Sequence, residues 1–95
     1  MFFQETYTTV VISTSHISEE DSKQLGIIAD EECSLVAGRD TGFFVKLYQE
    51  PEDNFREVFS DSLNDLLTEA ARQGFRCIEF DRDADNLAGA KTFQW

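Results

Sequence analysis

Ninety-five residues leave room for one hydrophobic core and no second module, and 41% apolar with 28% charged residues is the composition of a folded chain rather than a disordered one. Eight Lys and Arg against 19 Asp and Glu leave a net charge of −11, which opposes direct binding to a phosphate backbone or an anionic membrane surface. No apolar run approaches the roughly 18 residues of a membrane span, and the opening Met-Phe-Phe-Gln-Glu lacks the basic segment of a secretory leader, so the expectation is a cytoplasmic protein.

Tyr7–Ser13 is rich in β-branched residues (Thr8, Thr9, Val10, Val11, Ile12) and predicts a first strand, placed at the centre of a sheet. Ser13-Thr14-Ser15-His16 ends it. Ser18 followed by Glu19, Glu20 and Asp21 has the form of a helix start: the hydroxyl accepts a free backbone N–H, and Asp21 reaches back as in a capping box. Acids in this first turn suit the helix dipole. Leu25, Ile28 and Ala29 supply an apolar side, so the first helix is expected over 19–29. Gly26 costs it about 1 kcal/mol relative to Ala. Cys33–Ala37 reads as the second strand, Gly38-Arg39-Asp40-Thr41-Gly42 as turn chemistry and Phe43–Tyr48 as the third strand, together a hairpin with a longer loop. Alternation puts Phe43, Val45 and Leu47 on one face and Phe44, Lys46 and Tyr48 on the other. The second face, aromatic as well, is expected to be covered by Phe93 and Trp95 or by a second copy of the chain.

Gln49–Asn54 is polar, holds the only Pro and reads as a loop. Phe59, Leu63, Leu66, Leu67, Ala70 and Ala71 form a helical stripe. Its start is open between Ser60, a good N-cap, and a backward extension through Phe55 and Val58. Arg72 in the last turn and Gly74 as a C-terminal cap end it. Arg76–Phe80 is the fourth strand, 81–91 an irregular polar connection, and Thr92–Trp95 a short terminal strand. The order β-α-β-β-α-β predicts an α+β, ferredoxin-like domain: an antiparallel sheet with two helices on one face and a strand-like tail. Cys33 and Cys77, both in strand contexts, are read as reduced, partly buried thiols.

The chain carries no strong catalytic signature. His16 beside Ser13, Thr14 and Ser15 invites a nucleophilic reading, but no G-x-S-x-G elbow is present. With strands one and four as antiparallel neighbours, Asp81 lies at the opposite sheet edge from His16, which argues against a dyad. The reading preferred for Ser13, Thr14 and His16 is local capping. Asp81, Asp83 and Asp85 alternate along a loop, as oxygen ligands of Ca²⁺ or Mg²⁺ do. The match to a calcium-binding loop fails at Asn86 and Thr92, where Gly and Glu belong. A metal-assisted enzyme or sensor using this loop is therefore the second functional reading, and no cofactor is implied. Sheet aromatics on this topology suggest RNA recognition, but the charge has the wrong sign.

The acids are more informative. Glu19, Glu20 and Asp21 cluster at one helix start, with further runs at Asp30-Glu31-Glu32 and Glu50-Pro51-Glu52-Asp53. Glu57, Asp61, Asp65 and Glu69 recur every four residues. If the second helix covers them all they form one stripe with steps of about 6 Å. Such like-charge neighbours destabilise a helix by a few tenths of a kcal/mol per pair. The leading expectation is an interaction module that binds a basic, nucleic-acid-binding protein through this acidic surface, in the manner of a DNA mimic. A homodimer whose acids serve only solubility is the third reading.

Ile12-Ser13-Thr14-Ser15-His16-Ile17, Gly42-Phe43-Phe44-Val45, and Phe80-Asp81-Arg82-Asp83 with a final Phe93-Gln94-Trp95 resemble an uncharacterised bacterial domain family found on plasmids, prophages and genomic islands. The resemblance spans about Val10 to Trp95. Where the pattern has Gly after Asp-Arg-Asp and an acid before Trp, this chain has Ala84 or Asp85, and Gln94. The family supplies no activity. The resemblance implies a mobile-element accessory protein and leaves Ser13, Thr14, His16, Asp81, Arg82, Asp83 and Trp95 as motif residues of unknown role.

Overall fold

The β-branched run after Thr8, the two Ser-capped segments and the paired short strands build an α+β domain in the order β1 (Thr9–Ile12), a one-turn 3-10 helix (Thr14–His16), α1 (Glu19–Ala29), β2 (Val36–Arg39), β3 (Gly42–Lys46), α2 (Asp61–Arg72) and β4 (Cys77–Asp81). The structure is a computed structural model that describes residues 1–31, 35–47 and 57–95. The expected start of the second strand at Cys33, the face assigned to Tyr48 and the Gln49–Asn54 loop lie outside the described residues.

The α+β class and the element order agree with the ferredoxin-like expectation, whereas the sheet is mixed rather than antiparallel. Its strand order is β1-β4-β3-β2. β1 pairs parallel with β4, matching Ile12 to Phe80, and β4 pairs antiparallel with β3. β1 is thus an edge strand, and β4 takes the interior place. The burial differs accordingly: only alternate residues of β1 turn inward, while Cys77, Ile78 and Phe80 of β4 are all buried. Because β3 runs antiparallel to both β4 and β2, β1, β4 and β2 share one direction. Their carboxyl ends all emerge at the same end of the sheet.

The hairpin is tighter than its composition suggests. Arg39 pairs with Gly42, leaving Asp40-Thr41 as the turn. Gly38 and Arg39 extend β2 because Gly38 sits under Ala29, while Arg39 reaches Glu79 across the open face. Gly42 has no room for a side chain, since a Cβ there would lie 1.8 Å from the Phe80 carbonyl oxygen.

Val36, Val45, Ile78 and Phe80 point to one face and join Leu25 and Ile28 of α1 and Leu63, Leu67 and Ala70 of α2 in a single core. Both helices therefore lie on that face. α1 has the bounds its caps predict: the Ser18 hydroxyl accepts the Asp21 N–H at 3.1 Å. α2 starts at the Ser60 cap, so Val58 and Glu57 precede it. It ends in a Schellman motif, with the Gly74 N–H donating to Ala71 and the Phe75 N–H to Ala70. Residues 92–95 form no strand.

Candidate functional site

The acidic residues singled out in the sequence separate into three kinds. Glu19, Glu20, Glu57, Asp61 and Asp65 are exposed. Glu19 faces Lys23 at 3.9 Å across a solvated turn, a contact worth little. Asp21 is internal, only 1% exposed. Its Oδ1 accepts the Ser60 N–H at 2.8 Å and its Oδ2 the Ser60 hydroxyl at 2.5 Å. It does not close a capping box on Ser18, nor is it available to a partner. Ser60 Oγ in turn accepts the Leu63 N–H, so one buried carboxylate ties the first turn of α1 to the cap of α2. Glu69 is paired with Arg72 through two hydrogen bonds and with Gln73 through a third. The Arg72 hydrogen bonds, then that of Gln73, pull its carboxyl down to about 2. The four-residue stripe is therefore a pair, Asp61 and Asp65. Glu57 falls before the helix and Glu69 is neutralised.

The motif residues of unknown role converge. At the end of β1, the Ser13 hydroxyl accepts the Ser15 N–H at 3.1 Å and starts the 3-10 turn. That turn buries His16 completely, at 0% exposure. His16 Nε2 accepts the Leu87 N–H at 2.8 Å, which places the ring proton on Nδ1, 2.8 Å from the Lys91 carbonyl. Both ring nitrogens are thus occupied by the backbone of the segment after β4. The Ser15 hydroxyl donates to Asn86 Oδ1, the Phe93 N–H donates to the Ser15 carbonyl, and the Trp95 indole N–H to the Ile17 carbonyl. Residues 86–95 are laid onto the Ser13–Ile17 turn by these bonds. Phe93 and Trp95 accordingly go to the end of the sheet and do not cover its open face. Phe44 there lies under the Arg39 guanidinium, which also pairs with Glu79.

The parallel pairing of β1 with β4 corrects the placement of Asp81, which emerges at the same end as His16. A dyad is still ruled out, because the His16 nitrogens are both engaged and Asp81 Oδ1 accepts the Asp83 N–H at 2.9 Å. Among the described residues, no group of three or more His, Cys, Asp or Glu side chains is arranged to hold a metal ion. Asp81, Asp83 and Asp85 are not gathered. Cys77 is a free, buried thiol, and burial raises its pKa. Cys33 lies outside the described residues.

Beside the turn, at the carboxyl ends of two parallel strands where open sheets commonly hold ligands, lies a groove of about 510 Å³. It is lined by Ser13, Thr14, Ser15, Arg82, Phe93, Gln94 and Trp95. Composition did not reveal it, since its walls come from residues some 70 positions apart in the chain. The only forewarning in the sequence was the set of motif residues without a role.

The pattern of a family described as Family of unknown function (DUF5983) C-terminal domain matches residues 9–95. The chain belongs to this family. The match opens at the first residue of β1 and takes in every element of the fold and the whole groove. No curated protein and no solved structure matches the chain. No helix among the described residues is long and apolar enough to cross a membrane.

Proposed function

We infer that this domain is an acidic protein-interaction module of a bacterial mobile element, acting in the cytoplasm on a basic, nucleic-acid-binding protein as a DNA mimic or anti-defence accessory. The observation that carries this reading is the Asp21–Ser60 tie. It links the acidic starts of α1 and α2, where Glu19, Glu20, Glu57 and Asp61 are exposed, with Asp65 one turn further along α2. A net charge of −11 supplies the long-range attraction. The step from Asp61 to Asp65 is about 6 Å, against about 3.4 Å between charges along one DNA strand. The surface therefore matches the sign of a nucleic acid more closely than its spacing.

A pull-down from bacterial lysate at low and high salt tests the reading. A basic protein should be retained at low salt, released at high salt, and lost when Glu20, Asp61 and Asp65 are changed to Lys. Capture that ignores both salt and charge reversal would overturn it. A second reading, a homodimer joined at a sheet edge, is favoured by the position of β1 at that edge, where one side of its backbone has no strand partner among the described residues. It predicts elution at twice the monomer mass at any salt concentration.

A further inference from the structure

The groove at the carboxyl ends of β1 and β4 has a composition unlike the acidic surface around it. Among the described residues no acidic side chain lines this groove, and the one charged side chain on its walls is Arg82. Lys23, Arg39 and Arg72 each have a carboxylate partner. The Arg82 guanidinium has none among the described residues; only its backbone N–H is engaged, by the Thr41 carbonyl at 2.8 Å.

The hydrogen-bonding inventory points the same way. The Trp95 indole N–H is spent on Ile17, and the Ser15 hydroxyl proton on Asn86. The Ser13 oxygen already accepts the Ser15 N–H, which leaves its proton to give. Unspent donors on the walls are the Ser13 and Thr14 hydroxyls, the guanidinium with its five N–H groups and the Gln94 amide, which also offers an acceptor. Two aromatic rings complete the walls. Trp95 is 61% exposed although its indole N–H is anchored, so a flat apolar surface is held out to solvent. The Phe93 ring is only half-buried, with its backbone anchored to Ser15.

We propose that this groove binds a small organic anion, a phosphate or carboxylate carried on a flat ring. The oxyanion lies against Arg82 and the Ser13 and Thr14 hydroxyls, and the ring lies against Trp95. Guanidinium and hydroxyl donors aimed at one oxyanion form charge-assisted bonds of the stronger kind. The anchored aromatics reduce the ordering cost of binding.

The test is a titration followed by amide and indole NMR, with adenosine monophosphate and benzoate as probes and inorganic phosphate and adenosine as controls. Saturable shifts at Ser13–Ser15 and the Trp95 indole are expected with at least one probe below about 10 mM. Which probe binds tells whether the anion is a phosphate or a carboxylate. Inorganic phosphate, lacking the ring, should bind more weakly than the effective probe. Arg82→Gln should weaken binding by about tenfold or more while the free protein keeps its Trp95 indole resonance, which shows that the groove is intact. Three results would each overturn the proposal: neither probe saturating, adenosine binding as tightly as its monophosphate, or equal affinity in Arg82→Gln.

Discussion

His16 illustrates how one residue type supports opposite inferences. Next to three hydroxyl residues it looks like a general base, yet a base needs a free nitrogen near a substrate. Here both nitrogens hold backbone, and the ring works as a bracket between the 3-10 turn and residues 87–91. Replacing it with Ala removes buried volume and leaves two backbone groups without their partner. The expected cost is about 3 kcal/mol, with hydrogen-exchange protection lost at the Leu87 amide while α2 stays protected. Unchanged exchange at Leu87 would refute the bracket role. Gly42 is constrained by proximity: a Cβ would meet the Phe80 carbonyl and then Thr14 Cγ2 at 3.1 Å. Gly42→Ala should destabilise the fold by more than about 3 kcal/mol in denaturant unfolding, whereas Gly26→Ala, with open space around it, should not. Thr41 Oγ1 is buried without a partner among the described residues, and nothing in the structure explains it.

At the scale of elements, the informative contact is the one between helix starts. Asp21 spends its carboxylate on the N-cap of the other helix rather than on its own. Asp21→Ala should therefore expose a fault in α2, where Ser60 loses both acceptors. A double-mutant cycle with Ser60→Ala should give a coupling of about 1–3 kcal/mol in chemical denaturation; additive effects would mean that the helices are tied by packing alone. At the far end of α2, Arg72 and Gln73 hold Glu69 ionised down to about 2. Folded Glu69 takes up its proton at lower pH than it does in the unfolded chain. Its pairing thus favours the fold above the ordinary carboxylate range and loses that contribution as pH falls toward about 2. Glu69 is solvent-exposed, so the effect on stability is small. The titration itself is the better reporter: in Arg72→Ala the Glu69 carboxyl resonance should titrate at clearly higher pH than in the unaltered protein, with the Gln73 hydrogen bond still holding it below its ordinary value.

For the whole molecule the governing quantity is charge. Seven of the eight basic residues are described, and three of these sit in ion pairs. With all eight cations counted, eleven acids are still in excess, so the folded state repels itself. Melting temperature should rise as sodium chloride is added from low ionic strength up to about 0.5 M, since screening relieves that repulsion over distances of a few Å to 10 Å. A fall in melting temperature over the same range would mean that the three ion pairs matter more than the net charge. The same imbalance separates two surfaces. The linked helix starts carry exposed acids, while Arg82 is the one charged side chain on the groove walls among the described residues.

Much of this was legible before any coordinates. Both helices, the Ser18 cap, the Gly74 stop, the inward set Phe43, Val45 and Leu47, and the α+β order all follow from interactions within a few residues, whereas the start of α2 at Ser60 was open until the fold decided it. Capping, periodicity and alternation are local, and a chain displays them directly in its order of residues. The strand order was not legible. Placing β1 at an edge depends on β4 rather than β1 taking the place beside β3, a pairing between segments far apart in the chain. The fates of His16, Asp21 and Glu69 escaped for the same reason. A polar side chain is defined by the partner it meets, and for His16 and Asp21 those partners lie 39 to 75 positions away along the chain. For Glu69 the partner was near enough to suspect, but only the folded helix end turns Arg72 and Gln73 onto it. Short-range order thus belongs to the sequence, whereas the groove and the tie between helices exist only once distant segments are brought together.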